Sequence, residues 1–153
     1  MRGAIAGAVI AVVAVVAPGS GARSKEPALA GEINVVDFWA PWCKPCVAER
    51  PMVTALTRAL ATDGRVRVYE ANVDDQAGAR FYRKLFGGGE VQVPRLVVVD
   101  RDLGGLERVG AAIGEDRDHF VRDVSAAVSA LEAGGTPAPP SPRWQPFVAR
   151  KHR

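Results

Sequence analysis

The sequence predicts an α/β domain built on a four-stranded mixed sheet with helices on both faces. Three observations carry that prediction. Two short apolar runs rich in β-branched residues, at 33–38 and 95–100, read as buried strands. A stretch of helical spacing follows the first run, and an alternating strand follows that helix, which implies a parallel pair with a right-handed crossover. The turn Leu103-Gly104-Gly105 follows the second run directly and implies an antiparallel hairpin.

The elements can be justified in order. "INVVDF" at 33–38 is apolar throughout except for Asn34 and Asp37, and Asp37 is its odd member. From Cys46 onward Val47, Met52, Val53, Leu56 and Leu60 recur at helical spacing, and Asp63-Gly64 ends the run. Pro51 lies inside this helix and predicts a kink, because it removes one N–H from the ladder. "RVRVYEA" at 65–71 alternates as a strand does. Residues 75–86 place Phe81 and Leu85 four apart on a second helix, which Gly87-Gly88-Gly89 breaks. "RLVVVD" at 95–100 is the second buried strand, and 106–110 is its return partner. Phe120, Val124, Val128 and Leu131 form the apolar stripe of a last helix, which stops at Gly134-Gly135.

These elements define a domain over 33–133. Before it, Arg2 precedes an uncharged apolar stretch of about 15 residues and then small residues. Residues 1–22 therefore read as a secretory signal or an N-terminal membrane anchor, with 23–32 as a linker. Both readings place the domain outside the cytoplasm, in a periplasmic or other extracytoplasmic space. Residues 134–153 are proline-rich, lack periodicity and carry Arg143, Arg150, Lys151 and Arg153 without an acid. That composition predicts a disordered tail. The domain itself is close to neutral, so the net charge of +3 gives no reason to expect a nucleic-acid surface. A monomer is expected.

The only two cysteines are Cys43 and Cys46, in "WCKPC". A bridge between them would close too small a loop to stabilise the fold much. A structural zinc site needs four ligands, and the only histidines are His119 and His152, so no metal or cofactor is expected. Redox chemistry remains. Cys43 falls between a strand end and a helix start, where free amides and the helix dipole stabilise a thiolate. Pro45 is tolerated in a first helical turn. Cys46 lies one turn in, within reach of a mixed disulfide on Cys43. Cys43 is thus the expected exposed nucleophile and Cys46 the shielded resolving thiol.

"VDFWAPWCKPC" resembles the active-site segment of the thioredoxin family, a hydrophobic strand running into Asp-Phe-Trp-Ala-x-Trp-Cys-x-Pro-Cys. The order of elements is similar too. Pro51 stands where that family has its kinking proline, and Val93-Pro94 where it has a cis-proline. The resemblance implies a thioredoxin-like fold in a reduced four-strand version, since only the linker over 23–32 separates the expected signal from residue 33. It implies a protein-disulfide oxidoreductase with Cys43, Cys46 and Asp37 as catalytic residues, Asp37 accepting the Cys46 proton. It also implies that Trp42, Val93 and Pro94 bind substrate, while Trp39 belongs to the core. The partners implied are disulfide-containing proteins and a membrane electron donor. "WCKPCVAERP", with Glu49, is also similar to exported thioredoxin-like reductases of cytochrome c maturation. Two residues depart from the thioredoxin pattern. Glu70 replaces a usual lysine and should raise the Asp37 pKa further. Arg95 follows the proline, where it either tunes Cys43 or selects acidic substrates, or else is a surface residue.

Overall fold

Seven residues, Ile33–Trp39, form strand β1, and all but Trp39 are buried. The computed structural model describes residues 29–134 and 138–149. The expected signal or anchor over 1–22, and most of the expected linker, lie outside them. Beyond β1 the chain forms α1 (Lys44–Leu60), β2 (Val66–Asn72), α2 (Gln76–Phe86), β3 (Arg95–Asp100), β4 (Gly104–Arg108), α3 (Arg117–Glu132) and β5 (Trp144–Val148). The sheet order is β2-β1-β3-β4-β5. β1 and β2 are parallel, and every other neighbouring pair is antiparallel.

Successive residues of a strand point to opposite faces, so β1 feeds two cores. Val35 joins Val53 and Leu56 of α1 and Phe120 and Val124 of α3 on one face. Val36 and Phe38 join Phe81, Tyr82 and Leu85 of α2 on the other. The Phe38 ring packs edge-on to Tyr82 and Phe86, at 5.3 and 5.5 Å. A fully buried side chain of this size contributes on the order of 2 kcal/mol. Pro51 is accommodated inside a continuous α1. Helix α2 starts so close to the end of β2 that a Cβ on Gly78 would lie 1.9 Å from the Asn72 carbonyl oxygen, so only glycine fits there.

The structure corrects two expectations. The sheet has five strands rather than four, and part of the segment expected to be a disordered tail supplies the fifth. β5 pairs along β4 from Gly104↔Val148 to Arg108↔Trp144. Trp144 is buried in the core shared with α1 and α3, whereas Phe147 is buried in the α2 core. Two aromatics an odd number of residues apart on a strand reach opposite faces. Each is the sole large anchor of its face, so no periodicity appears in the sequence. Pro146, which cannot donate to a ladder, is tolerated because β5 is an edge strand. The basic residues Arg150, Lys151 and Arg153 lie outside the described residues.

Truncating an anchored aromatic should therefore be costly. Phe147→Ala is expected to lower stability by about 3 kcal/mol in urea denaturation. Val148→Ala, at a side chain left mostly in solvent, should change it by no more than about 0.5 kcal/mol. Equal effects would mean that β5 is not docked.

Candidate active site

β1 ends at Trp39 and α1 begins at Lys44, which leaves a tight turn closed by the Cys43 N–H donating to the Ala40 carbonyl at 3.1 Å. This geometry makes Cys43 the N-cap of α1, with extended backbone angles. Its Sγ accepts from the Cys46 N–H at 3.2 Å, the place a cap oxygen usually takes. Pro45 sits in the first turn, where a missing N–H costs nothing. Cys43 and Cys46 are joined as a disulfide with a Cα–Cα distance of 5.2 Å. Both are buried in this state, Cys43 at 4% exposure and Cys46 at 2%, so the expected exposed nucleophile is covered while the bridge is closed. The pair belongs to the apolar cluster that includes Ala40 and Val73, with Val93 packed against it.

Trp42 is 61% exposed and held by an indole N–H bond to Asp74 at 3.0 Å. The Val93-Pro94 bond is cis. Trp42, Val93 and Pro94 line one cleft of about 420 Å³, together with Val109, Gly110 and, from β5, Gln145. The expected substrate residues thus share a surface, and the added strand contributes to its far wall. Trp39 is half-buried and packs against the core on the α2 side, with the Arg50 guanidinium 4.3 Å above its ring. Arg95 lines the same cleft but is only partly exposed, its guanidinium engaged within the fold. It ion-pairs with Glu107 at 2.5 Å, bonds the Tyr82 hydroxyl at 3.1 Å and lies 3.6 Å above the Phe86 ring.

Asp37 is 6% exposed. Burial first, then the carboxylates of Glu49 and Glu70, raise it from 3.8 to about 7, against a smaller downward pull from Arg50. Glu70 acts in the expected direction, although it also pairs with Arg50 at 3.2 Å. The larger carboxylate effect comes from Glu49, whose burial and closeness to Asp37 sequence reasoning missed. Glu49 is as buried as Asp37, and its Oε1 accepts from the Ala112 N–H. Burial pushes its carboxyl up; the bond from Ala112 and the cation of Arg108 pull it down. Asp37, Glu49, Pro94 and Arg108 border one small void of about 10 Å³. Only the helical spacing of Glu49 from Cys46 could have pointed inward, because Arg108 comes from a distant strand. Among the described residues no cluster of His, Cys, Asp and Glu is arranged to hold a metal ion.

Residues 25–82 match the sequence profile of the Thioredoxin family. Over that stretch the chain is similar to thioredoxins. Its relatives include a thioredoxin of Synechocystis sp., 42% identical over 57 residues, which covers 37% of this chain and 51% of that protein. A thioredoxin of Haemophilus influenzae is 33% identical over 79 residues, covering 50% of this chain and 65% of that one. The chloroplastic M-type thioredoxin of Spinacia oleracea is 42% identical over 55 residues, covering 35% and 29%. In each case the matched stretch spans less than two thirds of the relative. The matched stretch, residues 25–82, includes the segment that carries Asp37, Cys43 and Cys46.

The Asp37 carboxyl makes a prediction about stability. Its folded pKa exceeds its unfolded value, so the native state binds the proton more tightly between about pH 4 and pH 7. Stability should fall as pH rises through that window. Asp37→Asn removes this cost and should stabilise the disulfide form at pH 8 by an amount on the order of 4 kcal/mol, shrinking toward zero at pH 4. Urea unfolding at the two pH values checks this; a gain independent of pH would refute the buried-acid assignment.

Proposed function

We propose that this protein is a thiol–disulfide oxidoreductase that works through Cys43 and Cys46. The observation that carries the reading is the bridged pair at the start of α1: Cys43 caps the helix and Cys46 lies one turn in. In the reduced protein the α1 N-terminus stabilises a Cys43 thiolate. The thiolate attacks one sulfur of a substrate disulfide, forming a mixed disulfide and releasing the other sulfur as a thiol after it takes a proton. Cys46 gives its proton to Asp37 and attacks Cys43 Sγ. The second substrate thiol leaves, and the Cys43–Cys46 bridge forms. Two electrons pass to the substrate, and a dithiol donor must return two to reopen the bridge.

Trp42, Val93 and Pro94 form the surface on which a protein substrate would lie, an extended segment pairing with the Val93 backbone. The direction proposed is reduction of extracytoplasmic proteins, apocytochromes among them, with recharging by a membrane donor. Two sequence features support it: the proline before Cys46, and the apolar N-terminal stretch that suits export or anchoring. No helix among the described residues is long and apolar enough to cross a membrane.

Insulin reduction with dithiothreitol tests the activity. The wild type should accelerate precipitation, and Cys43→Ser should abolish the acceleration. A wild type without turnover would instead indicate a scaffold that only binds peptides. Equilibration with glutathione tests the direction. A potential near about −270 mV supports a reductant, whereas one near about −120 mV would make the protein an oxidant.

A further inference from the structure

We propose that Arg108 is a positioning residue for the Asp37–Glu49 carboxyl pair, and that the segment leading into β5 holds it in place. The inference rests on the reading of Asp37 as proton acceptor for Cys46.

Arg108 ends β4, and its side chain is 2% exposed. It borders both the small void shared with Asp37 and Glu49 and the substrate cleft, so it stands between the buried acids and the surface. Its guanidinium pairs with Glu115, lies 3.7 Å from Asp123 and bonds the Gly110 carbonyl at 3.2 Å. Its Nε makes no hydrogen bond among the described residues. A buried cation with one unused donor needs its place defined by its surroundings, since an isolated buried charge is costly. The C-terminal segment supplies that definition. Arg143 ion-pairs with Glu115 at 2.5 Å. The Trp144 indole N–H and the Ser141 hydroxyl both donate to Asp123, at 2.9 and 3.0 Å. The two acids that grip Arg108 are thus themselves held by residues 141–144.

The sign of the effect follows from the charges around the pair. Glu49 and Arg50 face Asp37 from α1, and Glu70 faces it from β2. Arg108 from β4 and Glu115 from the loop before α3 face Glu49. His119 and Asp123 of α3 act through Glu115 and Arg108 respectively. Among the described residues, Leu96 of β3 and Pro94 just before it border the void, and neither is charged. Arg108 is therefore the cation on the β4 side, and removing it makes the pair bind protons more tightly. Loss of Arg143 leaves Glu115 less neutralised and acts the same way, more weakly. A base that holds its proton to higher pH stays inactive up to a higher pH.

The experiment is the pH profile of insulin reduction and of Cys43 alkylation in the reduced full chain. Arg108→Gln should move the acid limb of turnover upward by at least half a pH unit, about a threefold change in proton affinity. Arg108→Lys should recover part of that shift, which a purely structural role would not predict. If Arg108→Gln fails to fold, Arg143→Gln, at a half-exposed side chain, keeps the proposal testable and should give a smaller shift in the same direction. Unmoved limbs in the folded variants, with a limb that does move in Asp37→Asn, would overturn the role of Arg108 alone. A limb that stays in place in Asp37→Asn would overturn the proton-acceptor reading and this inference together.

Discussion

A strand buried on both faces has to stop before its chain can meet water, and here that stop positions the sulfur chemistry. β1 runs through the sheet to Trp39, and α1 starts five residues later at Lys44. The turn between them places Cys43 on the N-cap, its sulfur occupying the position of a capping oxygen. The orphan amides that every helix start leaves over then face a group able to carry negative charge. Cys46 follows by helical geometry, one turn away. The dithiol depends on how two elements meet more than on either element.

The same junction accounts for the buried acids. Asp37 precedes the turn on β1, and Glu49 follows it on α1, so the path from strand to helix brings both carboxyls to the void beneath Pro94. Such a pair is poor for stability, because desolvation and mutual repulsion oppose charging both. Part of the repulsion is relieved by cations that arrive from elsewhere in the chain, Arg50 on the α1 side and Arg108 on the β4 side. Stability is lost here in exchange for a group that can change protonation near neutral pH.

β5 extends this arrangement. An unpaired β4 would expose a ladder of donors and acceptors at the sheet edge, close to the cleft lined by Trp42 and Pro94. The C-terminal segment covers that edge, brings Gln145 to the cleft and brings Arg143 and Trp144 to the acids around Arg108. A single short strand thus touches the fold, the cleft and the electrostatics.

The sequence by itself determined the parts governed by local rules. β-branched runs marked β1 and β3, helical spacing marked the three helices, and the Cys-Lys-Pro-Cys spacing located the dithiol. The placement of Asp37 next to that motif on a buried strand foretold its raised pKa. Only the tertiary structure decided the fifth strand, whose two anchors face opposite cores and so leave no period to read. It also decided the burial of Glu49 and Arg108 and the pairing of Arg95 with Glu107, because each depends on contacts between elements far apart in the chain. Proximity along the backbone is encoded in spacing; proximity across a packed sheet exists only once the strands have chosen their order.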